Sequence, residues 1–272
     1  MSPYKALPFI VVCLISFNHS SAQELFVYSE PASNMPARSV GIRLSNWLMN
    51  DAATARTNYH LIPEIMWGAN KQLMLHAEGY LSNRSTALAI EGAALYAKYR
   101  FFSKDQLYRH LRLAAFARLS VNNADIHQEE IETNGHNTGY QLGLIGTQLL
   151  HKTALSLTIY SQQATDNLRA NELPRGQPTQ AINYTFSVGR LVLPRAYTSY
   201  KQTNFNVMVE VLAQRLLSSG RQYIDIAPSL QLIVNSQTRI DIGYRRQLYS
   251  TMQRTAPNGF MLRVEHLVFG LR

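Results

Sequence analysis

From residue 39 to residue 272, apolar side chains recur at every second position in one segment after another, and this period of two restricts the fold more than any other feature. The stretch 230–248, LQLIVNSQTRIDIGYRRQL, shows it in full. Leu230, Leu232 and Val234 share one face, and Ile240, Ile242 and Tyr244 continue that face after an Asn-Ser-Gln break. The other face carries Gln231, Arg239, Asp241, Gly243, Arg245 and Gln247. Side chains alternate across a strand, so the stretch reads as a hairpin with one apolar side and one side bearing charges of both signs. The apolar side must meet either a protein core or hydrocarbon.

Twelve segments repeat the pattern, over residues 39–49, 58–67, 72–82, 87–102, 107–121, 138–150, 153–162, 180–193, 204–217, 222–234, 238–250 and 259–272. Most exceed the ~5–6 residues of an ordinary strand and match the ~9–11 that a tilted strand needs to cross a bilayer. Helix competes in the alanine- and leucine-rich stretches STALAIEGAALYAKYRFF and LYRHLRLAAFARLSV. The matching lengths of their neighbours and the turn-forming Ser103-Lys104-Asp105-Gln106 favour strands there too. Connections alternate in length. GANK, SKDQ, HK and NSQ are tight, whereas NNADIHQEEIETNGHN and QATDNLRANELPRGQPT are long. Short turns on one rim and long loops on the other are the layout of a transmembrane barrel, and an even strand count puts both chain ends on the short-turn, periplasmic side. PRAYTSYKQT is long for that side, and NRST and SGR are short for the other.

The chain opens MSPYKALPFIVVCLISFNHSSAQELF, where a lone lysine, an apolar run and a small-residue exit have the layout of a secretory signal. Residues 1–22 are therefore expected to be cleaved, residues 23–38 to form a periplasmic N-terminal segment, and residues 39–272 to form the barrel. The single cysteine, Cys13, falls within the signal, so the mature chain relies on no disulfide. The formal charge of +9 is spread along the segments rather than gathered in a basic block, which argues against a nucleic-acid partner.

If the apolar face points outward, Leu73, Leu75, Leu88, Ile90, Leu142, Leu144, Leu157, Ile159, Phe186, Val207, Val209, Leu262 and Val264 meet lipid, where an arginine or lysine at mid-depth costs ~2–4 kcal/mol. Arg215 and Arg246 share that face near strand ends, where long side chains can reach water. Trp47, Tyr59, Trp67, Tyr96 and Tyr184 are candidates for the interfacial aromatic bands. The inward face then gathers Arg43, Glu64, His76, Glu78, Glu91, Arg112, Arg118, Glu210, Asp225, Arg239, Asp241, Arg245, Arg263 and Glu265, with His110. So many charges must be wet or paired. The expected fold is all-β: a closed antiparallel transmembrane barrel of about twelve strands in an up-and-down meander.

On the stretches SEPASNMPARS, IPEIMWGANKQLMLHAEGYLS, LLHKTALSL and IDIGYRRQLYSTMQRTAPNGFMLRVEHL, the chain resembles bacterial outer-membrane β-barrels. Within that class it is similar to the transporter barrels grouped with the meta-pathway phenol-degradation family. The resemblance implies a Gram-negative outer membrane, surrounding lipid, insertion by the barrel-assembly machinery, and passage or binding of a small hydrophobic or aromatic solute. Barrels of this class often end on an aromatic residue, whereas here Phe269 precedes Gly270-Leu271-Arg272.

For the lumen, two readings stand. Glu64, Glu78 and Glu91 could form an acidic wall facing the arginines and so orient a polar solute. Alternatively, neighbouring salt bridges plug a bore that is narrow at twelve strands. Met66, Met74 and His76, with His60 and Glu64, are the nearest thing to a soft-metal group, but no ligand spacing marks them, and neither metal nor cofactor is expected. The loop with His127, Glu129, Glu130, Glu132 and His136 reads as solvated acidic chain. A rim hydrolase would need Ser250 with His76, His110 or His266 as base; no G-x-S-x-G elbow is present, and no catalytic residue is assigned.

Overall fold

The computed structural model describes residues 26–51, 56–84, 87–169, 171–196, 199 and 201–270; the expected signal, 1–22, lies outside them. Twelve strands follow in order: β1 (Ser39–Asn50), β2 (Thr57–Gly68), β3 (Leu73–Ser82), β4 (Ala89–Gln106), β5 (Arg109–Asn122), β6 (Thr138–Leu150), β7 (Thr153–Thr165), β8 (Gln180–Leu193), β9 (Asn204–Leu216), β10 (Gln222–Val234), β11 (Thr238–Ser250) and β12 (Asn258–Val268). Each pairs antiparallel with its sequence neighbours, and β1 closes the ring against β12 from Val40↔Val268 to Asn50↔Asn258. The two stretches with helical composition are β4 and β5. Closure removes every lateral edge, which a structure in hydrocarbon requires because unpaired backbone groups there find no water.

Alternation delivers the two faces. Leu230, Leu232 and Ile242 are exposed, while Gln231, Arg239 and Asp241 between them are buried in the interior. Around the ring Ile42, Ile65, Ile90, Leu95, Leu119, Leu144 and Phe260 stand out from the wall. An apolar belt this continuous on a closed barrel fits a bilayer rather than water. Trp67 and Tyr184 are exposed on that side as expected. Trp47 and Tyr96 are not; both face inward. Trp47 keeps the phase of Arg43 and packs edge-on to Tyr28. Tyr96 is turned in by a bulge between Tyr80 and Leu81 of β3, where Gly92 pairs with Tyr80 and Ile90 with Leu81. One extra residue reverses every later side chain.

Residues 26–38 do not hang outside the ring, contrary to the expected periplasmic segment: they run into it. The backbone N–H groups of Val27, Tyr28 and Ser29 donate to the Glu210 carboxylate at 2.8, 2.7 and 2.9 Å, and the Ser29 hydroxyl adds a fourth bond at 2.6 Å. Ala32 N–H donates to Thr147 at 2.9 Å, and Lys98 Nζ donates to the carbonyls of Pro31 and Ser33 at 2.7 and 2.9 Å. Phe26 packs with Leu149, Ala154, Met208 and Met261, and Met35 packs with Met66 and Met74. The segment leaves beside Gly68, where any Cβ would stand 2.2 Å from the Pro36 carbonyl oxygen, so the wall needs glycine there.

Candidate functional site

All fourteen lumenal residues read from the sequence face the interior; most lie beside an opposite charge rather than on opposed walls, while Glu210 and Arg263 bond the entering segment. Arg43 is flanked in register by Glu265 and Glu64 and bonds both, at 2.8 and 3.3 Å, while also holding Glu30 of the entering segment at 2.8 Å. Arg239 bonds Asp241 at 2.8 Å and lies 3.6 Å from Glu265. Arg245 bonds Asp225 at 2.7 Å, Arg118 bonds Glu78, and His76 Nδ1 lies 3.5 Å from Glu64. Glu91 accepts from Ser82 at 2.5 Å and pairs with Arg84 at 2.6 Å. Arg112 donates to Ser33 of the segment at 2.7 Å, and Arg263 donates to the Val27 carbonyl at 2.7 Å and to Ser45 at 3.0 Å. Cross-strand register makes neighbours of opposite charges, and a buried charge stays only where it is paired.

Sequence reasoning missed Arg84 and four further members of this network. Lys98 is fully buried and reaches across to the segment, yet the period counted from Glu91 assigns it to lipid; the bulge that turns Tyr96 turns Lys98 with it. Glu30 belongs to the stretch expected to lie in the periplasm. Arg254 and Glu130 belong to outer connections. Glu130 takes Arg254 at 2.7 and 3.0 Å, and Arg254 holds Asp225 at 2.7 and 2.8 Å. The loop 123–137, expected to be solvated, therefore folds inward. Gln128, Glu130, Ile131 and Thr133 are buried, and Gln214 brackets Ile131 with bonds to its N–H and its carbonyl at 2.9 and 2.8 Å. A cavity of about 40 Å³ remains under this loop, among Trp47, His60, Glu132, His136 and Arg245. That is room for a few waters at ~10–15 Å³ each.

The thioether group does not converge. Met66 and Met74 sit in an apolar cluster with Ala32, Met35 and Leu267, and His60 stacks on His136, ring centres 5.3 Å apart. The candidate hydrolase residues do not meet either. The Ser250 hydroxyl donates to the Met252 carbonyl at 2.9 Å, while His76, His110 and His266 contact Glu64, Asp105 and Thr238. A different arrangement does form. His76, Tyr96, Phe116 and Tyr160 run round the inner wall with ring centres 4.9, 5.6 and 5.7 Å apart. Gly143 of β6 makes room for it, since a Cβ there would stand 2.4 Å from Tyr160 and 2.6 Å from Phe116. Ala32 and Met35 of the segment share one apolar cluster with Tyr96 and Phe116 of this ladder.

A closed twelve-strand antiparallel ring with a lipid-facing apolar belt and a polar, ion-paired interior defines an outer-membrane β-barrel of porin-like architecture. Among solved structures the chain is similar to one described as KdgM porin, with a TM-score of 0.50 at 9% identity over 85% of this chain and 99% of that one. A second, described as NanC porin, scores 0.49 at 11% identity over 85% of this chain and all (100%) of that one. At such identities the likeness is one of fold. No protein-family profile matches the chain. No curated protein matches it.

Proposed function

We propose that the barrel passes a small solute across the outer membrane and that its own N-terminal segment holds the passage shut. The observation that carries this reading is how the segment is fastened. Residues 27–33 are held by hydrogen bonds and ion pairs to wall residues Glu210, Lys98, Arg43, Arg112, Thr147 and Arg263. No strand of the ring includes them, so they can leave without opening the ring. Displacing them would uncover the His76–Tyr96–Phe116–Tyr160 ladder. A lumen lined on one side with aromatic faces suits a hydrophobic or aromatic solute, the class implied by the resemblance to phenol-degradation barrels. The exchange of bonds to the segment for bonds to water would offset much of the cost of opening.

Planar-bilayer recording tests the proposal. The mature chain should be nearly silent, and deletion of residues 26–36 should produce discrete conductance steps. A deletion variant that inserts, resists heat unfolding like the parent and still shows no steps would mark a barrel with a structural role only.

A further inference from the structure

We propose that Glu64, His76 and Glu78 form a site for one divalent cation of the zinc class on the inner wall. The site is set by register. Glu64 of β2 stands directly opposite Glu78 of β3, and His76 lies two residues before Glu78 on the same inward face. All three are buried, at 7, 4 and 5% exposure, and one ligand atom from each lies within 4.8 Å of the other two. Like charges facing each other across a rung are destabilising, and more so when buried.

The neighbouring arginines answer part of this and leave a remainder. Glu78 Oε2 takes Arg118 and, at 3.0 Å, the Tyr80 hydroxyl; Glu64 Oε2 takes Arg43 at 3.3 Å and faces His76 Nδ1 at 3.5 Å. Glu78 Oε1 and His76 Nε2 are buried with no hydrogen-bond partner. An acceptor oxygen and an imidazole nitrogen left bare in one dry cluster are what a Lewis-acidic cation would satisfy together. Nε2 has no partner and is the nitrogen open to coordination; Glu64, whose Oε2 lies 3.5 Å from Nδ1, serves the site as a ligand. Imidazole and carboxylate donors suit zinc and its neighbours, whereas the thioethers that would draw copper(I) are engaged in apolar packing. Arg43 and Arg118 oppose added positive charge, so binding should be weaker than at a four-ligand structural zinc site.

The test is calorimetric titration of zinc chloride into the untagged, detergent-solubilised, refolded mature chain, with heat-modifiable migration on gels confirming that each variant is folded. One saturable site per barrel is expected. Glu78→Gln, which keeps volume, and His76→Ala should each weaken it at least tenfold, while a Met66→Leu, Met74→Leu double variant should leave it unchanged. Should His76→Ala fail to fold, Glu64→Gln replaces it with the same expected loss. Absence of saturable binding in the parent, undiminished binding in the folded Glu78→Gln chain, or a loss confined to the methionine variant would each overturn the site. The readout is independent of conduction, so it stands or falls apart from the passage reading.

Discussion

Two stretches of chain fold into the barrel, one joined to each rim, and they are held by opposite means. Residues 26–38 enter by the short-turn rim and present main chain: consecutive N–H groups to Glu210, and carbonyls to Lys98 and Arg263. Loop 123–137 comes in from the other rim and is held largely by side chains. Glu130 meets Arg254 and Arg245, Glu129 meets Arg221, and His136 lies 2.5 Å from Arg84 through Nδ1. Main chain held by wall residues ties the first stretch to its place, with the side chains of Ser29, Glu30 and Ser33 adding to it. The second depends on its own residues and, where they titrate, on pH. The comparison separates a fastening set in the barrel wall from one carried by the loop.

The largest expected effect tests the first fastening. Glu210→Ala removes the acceptor of four bonds from the segment, each charged bond contributing ~1.5–3 kcal/mol, and strands three amide groups. Amide exchange at residues 27–29, followed by mass spectrometry, should speed by roughly a thousandfold or more at 1.4 kcal/mol per decade. Exchange in 123–137 should not move; parallel acceleration in both would show that they open as one unit. Next in size is Arg254→Ala, which leaves Glu130 and Asp225 with Arg245 as the one guanidinium between them. Breaking a buried pair costs about 3 kcal/mol, so loop exchange should rise about a hundredfold while the segment stays protected.

The smallest effect is the most discriminating. Burial, reinforced by the charge of Glu130, lifts the Glu132 carboxyl to about 7. The closed loop therefore holds a proton that an open loop releases near pH 4.5, and closure weakens as pH rises from there to about 7. His136 acts in the opposite sense. Burial and the Arg84 guanidinium hold its imidazole well below the usual range, so closure strengthens with rising pH, up to its ordinary value of 6.5. Above that the imidazole's share fades and the carboxyl's dominates. Loop exchange should rise a fewfold between pH 6.5 and 7.5 beyond the intrinsic rate, an effect softened because Glu132 is 32% exposed. Glu132→Gln should abolish that rise, and residues 27–29 should show none in either protein.

Much of the ring was legible because strand pairing and lipid impose one rule on every segment. β6, β10 and β11 fall at the bounds the alternation sets, and their inward charges follow from counting by two. The rule fails where one residue is added. Past the β4 bulge the same counting sends Lys98 and Tyr96 to the wrong side, because nothing local in GAALYAK marks an extra residue. The metal-like grouping failed for a different reason. Met66 and His76 do share a rung, but apolar side chains of the entering segment engage the methionines.

Alternation by itself determined strands with one apolar face and one charged face, since side-chain direction along a strand depends only on the backbone, and segment length with the short and long connections added closure in a bilayer. Only the tertiary structure decided what occupies the interior. SEPASNMPARS and DIHQEEIETNGH carry no periodicity, and both are polar enough to pass for solvated chain. They lie inside because buried groups, Glu210 and Lys98 of the wall for one and Gln214 of the wall with Arg254 of the β11–β12 connection for the other, need partners beyond those that neighbouring strands supply. Those needs arise only once the ring has closed and removed its inner face from bulk water.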